Sequence, residues 1–173
     1  MTTLLPCSEE CFNQDKEEKT SSLEDAFKGA SYSTFAGGVV ICHLFNQILK
    51  HVHRGKPSDR PEDVEYGLFW TRHRDLDNTL SSAFMFLPER FRLPANLRDP
   101  TAVHTNLNLH ASVICLHHAA VDKVDVHDLA PPLKASSLTR LKTAAEEIIN
   151  IFKLTSHLTA SYVGRFIRPG VGR

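Results

Sequence analysis

Histidine is the residue type this chain carries in excess: ten in 173 residues. An imidazole can hold a metal, move a proton or serve as a buried hydrogen-bonding group, and spacing separates these uses. Trp70, His73 and Asp77 stand at i, i+3 and i+7, with Asp77 four residues after His73. On a helix an i, i+4 His–Asp pair can hydrogen-bond and orient the ring. Catalysis from that pair still needs a nucleophile, and none is nominated, so the trio reads as a structural polar cluster. His110 and His117 share a face but lie about 10.5 Å apart along a helix axis. One ion with bonds near ~2 Å cannot reach both unaided. No pair has helical zinc spacing, and HExxH is absent. A histidine inside an apolar stripe nevertheless needs a partner for at least one nitrogen. Trp70, His73, Asp77, His110 and His117 are therefore the candidate site, a buried polar cluster of structural or ligand-binding character. No catalytic, metal-ligating or DNA-binding residue is assigned.

Other chemistries are poorly served. Gly29-x-Ser31 is followed by Ser33 rather than glycine and joins no strand to a helix, so it is no nucleophile elbow. Phosphate-cradling glycine loops are missing. Cys115 sits near His117 and His118, but adjacent positions point to different helix faces, and cysteine in apolar company tends to be inert. Cys7-x3-Cys11 resembles half a zinc site that no second pair completes, and Cys42 lies in an apolar run. Four scattered cysteines make no disulfide framework and suit a reducing intracellular compartment. Arg54, Lys56 and Arg60, then Arg72 and Arg74, then Arg90, Arg92 and Arg98 form basic clusters, each diluted by acids. Twenty basic residues balance twenty acidic ones, so no global field draws the chain to nucleic acid. MTTLLPCSEE lacks the parts of a secretory signal. The most apolar run, residues 35–49, is too short and too polar for a bilayer. A soluble, non-enzymatic chain without cofactor or membrane contact is expected.

Helices must position these residues. The length suits one domain or a piece of a larger one, able to bury roughly 70% of its unfolded surface. Residues 1–20 read as polar and irregular. Ser21-x-x-Glu24 reads as a capping box opening a short helix that ends near Gly29. Ser33 or Thr34 starts a longer helix to about His53, with Phe35, Val39, Cys42, Phe45, Leu49 and Val52 on one face. Gly37 and Gly38 either admit a close neighbour or fray its first turn. Arg54–Pro61, RGKPSDRP, reads as a linker. A helix from about Glu62 to Phe86, stopped by Pro88, carries the stripe Phe69, His73, Leu76, Leu80, Ala83 and Leu87. Asp99-Pro100 is a strong start signal. After it Val103, Leu107, His110, Ile114, His117, Val121 and Val124 recur every three or four residues, placing Leu107 and Ile114 in the core. Pro131-Pro132 reads as a stop, and Ser136 or Ser137 as the start of a helix facing inward through Leu138, Leu141, Ala145, Ile148 and Phe152. The expected fold is all-α, an antiparallel helical array without sheet.

FWTRHRDLDNTLSSAFMFLPERFRLP, NLNLHASVICLHHAA and TAAEEIINIFKLTSH together resemble the regulatory, or middle homology, domain of fungal zinc-cluster transcription factors, the xylanolytic-activator type above all. The similarity extends over most of residues 4–163 and includes LPCSEECF and FAGGVVICHLFNQILKHVHR. Trp70, Arg72, His73, Leu76, Asp77 and Asn78 with the later Leu87-Pro88 carry it in combination. The resemblance implies a nuclear, all-helical module at 21–163 that restrains or releases transcription through protein partners, related transcription factors among them, or a small-molecule effector. It implies no catalytic residues. The family's six-cysteine zinc cluster is absent from this sequence, so zinc and DNA would be met only through a separate module. The family pattern continues with further helices where this chain has GRFIRPGVGR, residues 164–173. That tail reads as a truncation, and the remaining domain as partial and prone to self-association. A stand-alone helical interaction or metabolite-binding module is the alternative.

Overall fold

Caps and prolines set where the helices begin. The computed structural model describes the backbone of residues 3–166 and side chains of residues 3–156. Six α-helices follow in order: α1 Glu9–Asn13, α2 Leu23–Ala26, α3 Thr34–Val52, α4 Leu68–Met85, α5 Pro100–Val126 and α6 Pro131–Phe166. Ser33 accepts from the Ala36 N–H at 3.1 Å to open α3. Asp99 accepts from the Thr101 N–H at 2.8 Å to open α5, with Pro100 at the first helical position. Among the described residues the β pairing is an isolated antiparallel bridge between Leu4 and Ser22. The architecture is all-α.

Several boundaries differ from expectation, each for a local reason. The expected irregular start contains α1, capped by Ser8. The cap of α2 is Ser22 paired with Asp25, one residue past the expected Ser21 and Glu24. Helix α4 starts at Leu68 rather than Glu62, because Asp63 first closes a turn by accepting from the Tyr66 N–H. Pro131-Pro132 begins α6 instead of ending α5, since the first helical positions have no N–H bond to lose. Arg54–Pro61 is pinned rather than loose: Pro57–Asp59 forms a 3₁₀ turn, and buried Asp59 lies 2.8 Å from Arg72 and 3.7 Å from Arg54. Residues 167–173, and with them most of the tail, lie outside the described residues.

Helix α5 is the hub and packs on α3, α4 and α6. Cross-helix pairs run in opposite directions: His73 and Asp77 meet His117 while Phe84 meets His110, and Lys134 meets Asp125 while Ser137 meets His117. Successive long helices α4, α5 and α6 are thus antiparallel. One cluster, with Leu44, Ile48, Leu80, Phe91, Leu109 and Leu116, fills the centre, and Phe69, Trp70, Ala119, Ala120 and Val124 fill one end.

The expected stripe on α4 is the buried face, from Phe69 to Leu87. The other three helices are turned about their axes. Helix α3 buries Ala36, Gly37, Val40, Ile41, Leu44, Ile48 and His51, none of them a position of the expected set, while Phe35 stays 66% exposed. Gly37 dictates that setting: a Cβ there would stand 2.4 Å from Phe91 Cζ, whereas at Gly38 it would meet nothing. Helix α5 buries Ala102, Thr105, Asn106, Leu109, Ser112, Val113 and Leu116 together with the expected His117 and Val124, leaving Leu107 and Ile114 half-buried. Small side chains let its three neighbours come close. Helix α6 turns Ser137, Ala144 and Ile151 inward, and Leu138 and Phe152 face outward.

Candidate functional site

A polar seam crosses the bundle between α4, α5 and α6. Asp77 projects from the turn of α4 after His73. Its Oδ1 lies 2.7 Å from Arg140 Nη2 on α6 and 3.3 Å from His117 Nε2 on α5. His117 Nδ1 in turn lies 3.4 Å from Ser137 Oγ on α6. If Nε2–H donates to Asp77, Nδ1 is the acceptor for the serine hydroxyl, so one neutral tautomer satisfies both contacts. Burial alone raises the Asp77 carboxyl, but the hydrogen bond from His117 and the charge of Arg140 outweigh it and hold the group below its ordinary value.

His73 is not the partner of Asp77. Its ring meets His117 edge-on at 5.2 Å and Trp70 at 5.7 Å, and its buried Nδ1 has no hydrogen-bond partner. Asp77 turns instead to two donors on neighbouring helices, which a single helix cannot offer. Trp70 donates from Nε1 to the Pro61 carbonyl at 2.7 Å, tying the segment before α4 to the helix. His110 stands apart: it packs on Phe84 at 5.0 Å, half-buried, with its pKa lowered by desolvation. The structure thus brings Trp70, His73, Asp77 and His117 together and leaves His110 out.

Sequence reasoning missed His51, Asp59, Arg72, Ser137 and Arg140. His51 sits on α3, 3% exposed, its ring tilted over Phe69 at 4.6 Å and 6.0 Å from His73. Burial, then the nearby Arg72 charge, pushes its pKa down to about 4, and burial, then His117 and His51, pushes His73 down to about 3. Both rings are neutral near pH 7. Asp59 is held below its ordinary value because Arg72 and the Lys56 N–H outweigh the effect of burial. The rotation of α3 hid His51, and no local pattern announced that Arg140 would meet Asp77.

Ser137, His117 and Asp77 form a serine–histidine–carboxylate string, the residue types of acyl transfer. Ser137 is only 7% exposed, its contact to the ring is long, and Arg140 already occupies the carboxylate. The neighbouring cleft is lined by Phe84, His110, Val113, Thr139, Arg140, Thr143 and Ala144, without Ser137. A nucleophile needs access to a substrate and donors for the developing oxyanion, and this string has the geometry of an interhelical clamp. Among the described residues no group of three or more His, Cys, Asp or Glu is arranged to hold a metal ion, and no helix is long and apolar enough to cross a membrane. Comparison with protein-family models, curated proteins and solved structures finds no match.

Proposed function

We propose that this chain is a regulatory module of a nuclear transcription regulator of the fungal zinc-cluster type. It works through helix-mediated contact with partner proteins, performs no catalysis, and meets DNA only through a separate module. The observation that supports this reading is where the residues carrying the resemblance fall. Trp70, Arg72, His73, Leu76 and Asp77 lie along one side of α4 and hold it to the preceding turn, to the core, to α5 and to α6. Polar pairs that clamp packed helices have discrete alternatives, so a partner can bias one arrangement over another.

Deleting the gene and reintroducing tagged native protein tests the reading. Altered transcript levels restored by the native protein, with the protein in the nucleus, are expected. An unchanged transcript profile, or exclusion from the nucleus, overturns the proposal.

A further inference from the structure

An open cleft of ≈ 280 Å³ lies between α3 and α4. Gln47, Lys50, His51 and Arg54 line it from the α3 side, and Arg72, Asp75 and Leu76 from α4. That volume is near the lower end for ligand sites and suits a molecule of few heavy atoms. Leu76 and the aliphatic stems of the long side chains supply an apolar wall. Lys50, Arg54 and Arg72 outnumber the acids beside them, Asp75 on the lining and Asp59 behind the two arginines. The net charge of the cleft is positive.

Its floor holds unused donors. His51 is buried, and neither ring nitrogen has a hydrogen-bond partner. Arg72 Nε is also buried without one, and its Nη2 touches Asp59 as an ion contact rather than an aligned hydrogen bond. Buried polar groups in folded proteins are almost always paired, so several orphans at one cleft call for an explanation.

We propose that this cleft binds a small organic anion, a carboxylate or a phosphate monoester. Lys50 and Arg54 at the rim make the first charge-assisted contacts with the anion's oxygens. The covered His51 ring then turns over Phe69 to donate an N–H to it. The exposed Lys50 has no structural duty to give up, and Arg54 is only 3.7 Å-paired with Asp59. The site does not depend on any role at DNA. Its failure leaves the regulatory reading standing, and a silent gene deletion leaves the cleft standing.

The test is titration of the whole ¹⁵N-labelled chain with inorganic phosphate and, separately, with succinate, against chloride at equal ionic strength. Saturable shifts are expected in the His51 ring nitrogens and in the amides of Lys50, Arg54 and Arg72, with a Kd below about 10 mM. Lys50→Gln and Arg54→Gln should each weaken binding about tenfold, the scale of one charged hydrogen bond. Response to one anion alone assigns the ligand to that class. No saturable shift with either anion, shifts centred elsewhere, or unchanged affinity in both variants overturns the proposal.

Discussion

At the residue scale, Asp77 is the junction of three helices. It pairs with the Arg140 guanidinium and accepts from His117, and losing it strands a buried imidazole N–H. Asp77→Ala should therefore cost about 1–3 kcal/mol in urea unfolding, most of it the penalty of unpaired donors. Arg140 is 41% exposed at its side chain, so water screens its share. A double-mutant cycle between Asp77→Ala and Arg140→Ala should give a coupling of about 0.2–1 kcal/mol. A neutral Asp77→Ala would mean that the seam contributes nothing to stability. His73 teaches the complementary lesson. Its four-residue spacing from Asp77 permitted a pair, yet two better donors on other helices took the carboxylate.

At the element scale, one glycine sets how α3 lies. Because Phe91 is fully buried and has little room to withdraw, Gly37→Ala should destabilise by about 1–3 kcal/mol through overpacking. Gly38→Ala, with nothing near its new methyl, should instead be neutral or stabilising, by up to ~1 kcal/mol, from helix propensity. Equal effects at the two sites, measured by thermal unfolding, would contradict the close approach of α3 to Phe91. Helix α6 carries the opposite feature, an uncovered face. Leu138, Ile149 and Phe152 are 46%, 51% and 60% exposed along it. Apolar patches of this kind favour association. Sedimentation should show concentration-dependent self-association that Ile149→Lys with Phe152→Lys reduces. A strictly monomeric native chain at high concentration would show that this face is inert.

At the scale of the whole molecule, burial of neutral histidines links stability to pH. His51 and His73 have folded pKa values of about 4 and about 3, against an ordinary 6.5. The unfolded chain therefore binds protons that the folded one refuses. Their contribution is fully present above about pH 6.5 and is lost as pH falls from there towards about 4 for His51 and about 3 for His73. Asp59 and Asp77, both lowered, contribute above the ordinary carboxylate value and lose that contribution at still lower pH. The two effects act in the same direction. The unfolding free energy from urea titrations should drop between pH 7 and 4.5 by a few kcal/mol in total, an order-of-magnitude figure from ~1.4 kcal/mol per pKa unit. His51→Phe with His73→Phe should flatten that slope. A wild-type slope already flat over this range would refute buried, neutral rings at these positions.

Local chemistry made the helical class legible, along with the starts of α3 at Ser33 and α5 at Asp99 and the buried stripe of α4. Caps act within one turn, and a helix packed on one side shows a narrow apolar period. The rotations of α3, α5 and α6 were not legible. Helix α5 is surrounded, so Ala102, Ser112 and Ala120 are as buried as Leu109, and apolarity no longer marks a face. The site was half legible for the same reason. Trp70, His73, Asp77 and His117 stood out by type and spacing, while His51, Ser137 and Arg140 joined them only because tertiary packing chose which faces meet. Hydrogen-bond partners across helices depend on that choice of rotation, and no run of neighbouring residues encodes it.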